Sequence, residues 1–244
     1  GSARMLESLG AQAIGTSSAA QAFTLGRPDE GQITRDEALA HAQDLIAAVR
    51  VPVSGDFENG YGDAPEDCAE TVRLSGEVGL AGISIEDIDF AADDTYAFDL
   101  AVERIRAAAA AARALPGDFV LVARADGVMT GKYDMAEALR RIRAFDAAGA
   151  DCLYVPVPPD LAGLAQVVAA TGKPVNALAV GPLAKVARAE FARLGVARIS
   201  LGAALARVTH RMILEAATAM FTQGDFTALT RVANGAEIDA LLRR

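Results

Sequence analysis

Apolar, β-rich runs alternate with amphipathic stretches along the whole of this chain, and that alternation predicts repeated strand–helix units around a parallel sheet. The candidate strands are 11–17, 51–57, 82–87, 119–126, 152–158, 174–179 and 198–202. Helical patterns occupy 2–9, 34–49, 66–78, 99–114, 135–148, 160–171, 183–194 and 203–223, several of them opening on capping residues such as Thr34, Asp99 and Asp160. Seven strands against eight helices leave the set one strand short of a closed (β/α)8 TIM-type barrel. The absent strand is expected before Ser2, among residues left out of this numbering. A doubly wound open sheet is the competing fold, but it usually carries a Gly-rich phosphate turn after its first strand, and none is visible. The expectation is one barrel domain over 1–244, with 225–244 a C-terminal helical extension whose short apolar face needs a partner.

Composition narrows the function classes. With 244 residues and 52% hydrophobic content the chain can bury a full core. A net charge of −9 without any Lys/Arg-rich run argues against a nucleic-acid surface, since phosphate contacts need clustered cations. A small anionic substrate would then need a local cation, from a metal or a buried Arg. The two cysteines, Cys68 and Cys152, make no metal-type spacing and no disulfide framework. No apolar run approaches the roughly 20 residues that span a bilayer. The first residues lack a signal pattern, so a cytoplasmic protein is expected.

The most informative stretch runs from Val51 to Gly62. Side chains two apart share a strand face, so Ser54, Asp56 and Glu58 point one way while Val53, Gly55 and Phe57 point the other. The strand 82–87 again ends in acids, with Ser84 and Glu86 on one face. Adjacent strands lie about 4.8 Å apart, so Asp56, Glu58 and Glu86 are expected to converge at the C-terminal rim, where barrel enzymes build their sites. An oxygen-loving cation, Mg²⁺ or Mn²⁺, is the simplest compensation for three crowded carboxylates. Any one of these acids taken alone could instead cap the following helix. Arg124 is in register with Val120 and Val122 and points to the same rim, paired with Asp56 or Glu86, with substrate, or with both. Thr16, Ser17 and Ser18 offer hydroxyls and backbone N–H groups suited to a carboxylate. Asn176, polar within an apolar strand, either hydrogen-bonds in the core or reaches the ligand. His41 and His210 fall within helices and do not look like catalytic bases.

Together with Leu25-Gly26-Arg27-Pro28-Asp29, the opening helix and Ile85-Glu86-Asp87, these elements resemble the isocitrate lyase and phosphoenolpyruvate mutase superfamily in order and spacing. The most specific part is Asp56-Phe57-Glu58-Asn59-Gly60-Tyr61-Gly62. The resemblance implies that Asp56, Glu58 and Glu86 hold Mg²⁺ directly or through water, that Ser17 and Ser18 bind the substrate carboxylate, that Arg124 contacts substrate oxygens, and that Asp29 sits near the reacting centre. It also implies a homo-oligomer, a dimer or a tetramer with exchanged C-terminal helices, and an enolate-like reaction on small 2-oxo or 2-hydroxy acids.

One segment departs from the pattern. Lyases of this superfamily carry a Lys-Lys-x-Cys-Gly-His-like gating loop after the Glu-Asp element, and the mutases a Lys, whereas residues 88–98 here hold no Lys, Cys or His. Three functions stay open: a Mg²⁺-dependent lyase or decarboxylase of a small 2-oxo or 2-hydroxy (di)carboxylic acid, a phosphonopyruvate or phosphoenolpyruvate-type mutase or hydrolase, and a non-catalytic binder of 2-oxo acids.

Overall fold

In the computed structural model, which describes residues 1–243, the alternation resolves into seven parallel strands that wrap into a nearly closed barrel with helices outside. Helix α1 (Ser2–Ser8) leads to β1 (Ile14–Gly15), α2 (Ser18–Thr24), α3 (Arg35–Ala48), β2 (Val53–Asp56), α4 (Pro65–Glu77) and β3 (Gly82–Glu86). A separate antiparallel hairpin of β4 (Ile88–Asp89) and β5 (Asp94–Thr95) precedes α5 (Phe98–Ala114) and β6 (Val120–Arg124). Then come α6 (Gly127–Thr130), α7 (Met135–Ala148), β7 (Cys152–Tyr154), α8 (Leu161–Ala169), β8 (Val175–Leu178), α9 (Arg188–Leu194), β9 (Arg198–Ser200), α10 (Ala204–Gln223) and α11 (Gly235–Leu242). The sheet order is β1-β2-β3-β6-β7-β8-β9. All seven expected strands are present, each shorter than its apolar run.

The period of two decides which side chains face which layer. Ile83, Ile85, Leu121, Ala123 and Leu153 are fully buried and join the helices in the main core. Their neighbours Val122, Cys152, Tyr154 and Leu178 form a second cluster, facing the other side of the sheet. Arg198 Nη2 donates to Ser54 Oγ at 3.0 Å, tying β9 to β2 on that inner side. Val120, in register with Val122, does not join it in that inner cluster. It is 47% exposed at the start of β6.

Gly82 is where β3 comes closest to β6. A Cβ there would sit 2.2 Å from the Val120 carbonyl oxygen, a backbone atom that cannot move without breaking the strand pairing. Gly82→Ala is therefore expected to cost about 2–3 kcal/mol of stability. A urea unfolding midpoint equal to that of the wild type would contradict this.

Thr34 and Asp160 cap α3 and α8 as expected, through Glu37 N and Gly163 N. Asp99 is not a cap; Ala97 precedes α5 and Asp99 lies in its first turn, where the helix dipole still favours it. The expected helix 183–194 is split, because Pro182 opens a 3₁₀ turn over Gly181–Lys185 and the extended residues Val186 and Ala187 separate it from α9. The expected C-terminal helix is likewise a 3₁₀ turn, Thr227–Thr230, followed by α11, which Asn234 caps. Ser8 Oγ donates to the Leu241 carbonyl at 2.8 Å, fastening α11 to α1. No helix among the described residues is long and apolar enough to cross a membrane.

Candidate active site

Three carboxylates meet Arg124 at the C-terminal end of the strands. Arg124 Nη1 donates to Asp56 Oδ1 at 2.7 Å, and Nη2 lies 2.8 Å from Glu86 Oε2. Nε and Nη2 form a two-pronged contact with Asp126 at 3.1 and 2.5 Å. The guanidinium is 12% exposed and lies 5.4 Å from the centre of the Tyr154 ring. Burial opposes its charge, but Asp126, Glu86 and Asp56 together hold its pKa well above the ordinary arginine value. Arg124 thus pairs with both carboxylates offered by the sequence and with a third, Asp126.

Asp56 is saturated with donors. Oδ2 accepts from the N–H and the Oγ of Ser18, at 3.0 and 2.9 Å, and Oδ1 from Ser84 Oγ at 3.3 Å. Its backbone N–H donates to Thr16 Oγ1 at 2.8 Å. Thr16 and Ser18 therefore reach the site through Asp56, while Ser17 Oγ accepts from Ala20 N and caps α2. Asn176 stands one strand beyond Tyr154, donates Nδ2 to Ser200 Oγ at 2.9 Å, and keeps its buried Oδ1 without a partner among the described residues.

Glu58 departs from the simple strand pattern. The strand ends at Asp56, and Glu58 takes a positive φ of 45°, a conformation side chains rarely adopt. Its backbone carbonyl accepts from Glu86 N, and its buried carboxylate accepts from Gly31 N at 3.1 Å. Tyr61, at φ 62°, is strained in the same way, and its Oη is buried without a partner among the described residues. Two strained residues within four mark a loop held in place by its surroundings. Arg104 supplies the restraint. It is 1% exposed and donates to the carbonyls of Asn59, Gly62 and Asp63 while lying 4.0 Å from the centre of the Tyr96 ring.

Burial first, and crowding with like charges second, raise the carboxyl groups of the site. Burial, then Asp56 and Asp29, push Glu58 up to about 7 against the opposing Gly31 N–H and Arg124. Burial raises Glu86, with Arg124 opposing and Asp126 and Asp56 adding, and it raises Asp126 to about 6. Asp29, in an exposed segment, is raised first by partial desolvation and then by Asp56. The donors are all oxygens and carry more negative charge than Arg124 balances, which suits a hard divalent cation. They are not a finished cage: among the described residues no group of three or more His, Cys, Asp or Glu is arranged to hold a metal ion. Arg124 lies between Asp56 and Glu86, and Glu58 turns toward Gly31.

Residues 1–221 match the family model described as phosphoenolpyruvate phosphomutase. The chain belongs to that family. Within it, a Burkholderia cenocepacia J2315 protein provisionally described as a lyase/mutase superposes with a TM-score of 0.94 at 43% identity, covering 100% of this chain and 87% of that one. The structure of 2,3-dimethylmalate lyase, a member of the phosphoenolpyruvate mutase/isocitrate lyase superfamily, superposes with a TM-score of 0.84 at 27% identity, covering 99% and 86%. An oxaloacetate decarboxylase from Ectopseudomonas mendocina is 32% identical over 185 residues, 73% of this chain and 62% of that enzyme.

In this phosphoenolpyruvate phosphomutase family member the segment after Glu86-Asp87 is built into the fold. It forms the β4–β5 hairpin, and Lys132 Nζ holds its turn through the carbonyl and carboxylate of Asp93. Phe90 from that turn packs against Gly31. Asp126, Arg104 and Phe90 were not singled out from sequence. Arg104 lay inside an alanine-rich amphipathic helix, where an Arg ordinarily faces solvent, and no local pattern marks it.

Proposed function

We propose that this family member is a lyase or decarboxylase acting on a small 2-oxo or 2-hydroxy acid, with Asp56, Glu58 and Glu86 holding Mg²⁺ or Mn²⁺. The observation that carries this reading is the set of carboxylates Asp56, Glu86 and Asp126 gathered on one buried guanidinium, with Glu58 beside them. The relatives' names point the same way. When bound, a divalent cation would supply Lewis acidity toward the substrate's oxo and carboxylate oxygens.

The chain's own residues perform the remaining tasks on this reading. Thr16, Ser17 and Ser18 present hydroxyl and N–H donors for the substrate carboxylate, Ser18 exchanging part of its bond with Asp56. Arg124, kept cationic by its neighbours, faces the developing enolate oxygen. On the same reading Asn176 Oδ1 accepts from a substrate hydroxyl, and Asp29, whose pKa is raised by partial desolvation, moves a proton at the reacting carbon. Turnover of a panel of 2-oxo and 2-hydroxy acids, with Mg²⁺ and after chelation, tests the assignment. Oxaloacetate, pyruvate or 2-oxoglutarate is expected to bind in a Mg²⁺-dependent way, with negligible cleavage of isocitrate or 2-methylisocitrate and no phosphonopyruvate rearrangement. Robust isocitrate cleavage would overturn the reading of loop 88–98, which has no thiol to supply the proton, and failure of every acid in the panel to bind or turn over would overturn the assignment.

Residues 1–244 are read as one barrel domain with 225–244 extending from it. Along and beyond α10, Val208, Ile213, Leu214, Phe221 and Val232 are each at least 60% exposed. That much bared apolar surface is unusual for a monomer. We expect a homo-oligomer that covers it, a dimer or a tetramer, and light scattering at micromolar concentration that gave the monomer mass would exclude both.

A further inference from the structure

We propose that the cavity beside the acidic rim receives the substituent carried on the carbon next to the substrate's 2-oxo or 2-hydroxy carbon, and selects a neutral, apolar substituent over one ending in a carboxylate. This rests on the function proposed above and narrows its substrate class.

The cavity is an open cleft of about 490 Å³, within the range of small-molecule sites. Its walls come from three segments: the start of α3, the β2–α4 loop, and the turn of the β4–β5 hairpin. Glu58 belongs both to this wall and to the rim, where its charge acts with those of Asp56 and Asp29. A molecule held at the rim therefore has the cavity as its neighbouring space.

The walls combine a few apolar groups with an excess of acids. Ile33 is 3% exposed, and Phe90 lies over Gly31 at ordinary contact distance, a Cβ on Gly31 falling 3.4 Å from it. Tyr61 presents its ring, since its Oη is shut off from solvent. Lys132 fixes the hairpin that carries Phe90. Asp36, Glu58 and Asp63 outnumber the one lining cation, Arg35, and Glu70 acts on Arg35 from outside the cavity. A carboxylate-ended substituent meets that negative field, whereas an alkyl group gains by displacing water from Ile33, Phe90 and Tyr61.

Malate, 3-isopropylmalate and isocitrate share one malate core and differ only at C3, which carries hydrogen, isopropyl or carboxymethyl. Calorimetric titration of the full protein with matched stereoisomers in Mg²⁺ is expected to give 3-isopropylmalate at least about tenfold tighter binding than malate, with isocitrate weaker than malate. The ¹³C-methyl signal of Ile33 should shift with 3-isopropylmalate and not with malate. Phe90→Arg, or Ala91→Arg if the first variant misfolds, should bring isocitrate to at least equal affinity. Binding of these acids without that order, or with an unmoved Ile33 methyl, overturns the cavity assignment and leaves the proposed function standing. Failure of all three to bind while oxaloacetate or another 2-oxo acid binds overturns the cavity assignment alone, and failure of the 2-oxo acids as well overturns the proposed function with it.

Discussion

Asp56→Asn is expected to lower kcat/KM by about a thousandfold and to abolish divalent-cation binding while the protein stays folded. The shape of the side chain is kept, so the effect isolates charge and hydrogen-bond polarity. Every neighbour of the carboxylate is a donor: Ser18 N and Oγ on one oxygen, Arg124 Nη1 and Ser84 Oγ on the other. Whichever way an asparagine amide is turned, its NH₂ faces a donor. Arg124 keeps Glu86 and Asp126 as partners, so the loss does not strand a buried cation. The side chain also sits apart from the packed apolar layers, and circular dichroism melting should move by only a few degrees. Mn²⁺ titration followed by electron paramagnetic resonance separates the cases. Unchanged affinity in the variant would remove Asp56 from the metal assignment.

How far the fold was readable follows from how each element is stabilised. The strands at 82–86 and 120–124 carry their evidence locally, as apolar runs bounded by turns, and they fell where periodicity put them. Helix α2 did not stand out, because Ser18 to Thr24 is a seven-residue piece whose start depends on Ser17 capping Ala20 N. The β4–β5 hairpin was invisible for a related reason. Two paired residues on each side leave no alternation to detect, and its turn is fixed from outside by Lys132.

The site divides along the same line. Period-two reasoning placed Asp56 and Glu86 near Arg124, because all three lie within regular strands in parallel register. For Glu58 it assumed that the strand continued past Asp56, where the chain instead takes up a left-handed conformation that keeps Glu58 beside the rim but turns its carboxylate to Gly31 N. Asp126 is two residues beyond Arg124, a spacing that puts both on one face if the strand runs on. It was nonetheless overlooked, because nothing in the sequence shows that one guanidinium will draw in a third acid. Long-range contacts such as Arg104 with residues 59–63 leave no signature at all in a single sequence.

Arg104→Met is expected to cost about 2–4 kcal/mol of stability and to reduce turnover on the order of a hundredfold, although Arg104 lies on a helix outside the barrel. Two terms compete. Removing a buried guanidinium that has no carboxylate among its partners relieves a desolvation cost. Against that, the carbonyls of Asn59, Gly62 and Asp63 lose their donors, and the Tyr96 ring loses a cation at 4.0 Å. Three acceptors, one buried and two partly buried, at about 1–3 kcal/mol each outweigh the relief. The functional loss follows from geometry, because these carbonyls fix the segment that holds Glu58 and Tyr61 at positive φ. Once released, that segment can relax toward ordinary backbone angles and carry the Glu58 carboxylate away from Gly31 N and from the rim. Arg104→Lys should recover little, since a single ammonium cannot reach all three carbonyls as a planar fork does. Guanidinium added at millimolar concentration to a smaller variant, Arg104→Ala, should restore part of kcat, a response that a generally loosened core would not give. A fully active Arg104→Met enzyme with wild-type melting would show that the loop keeps its conformation without this residue.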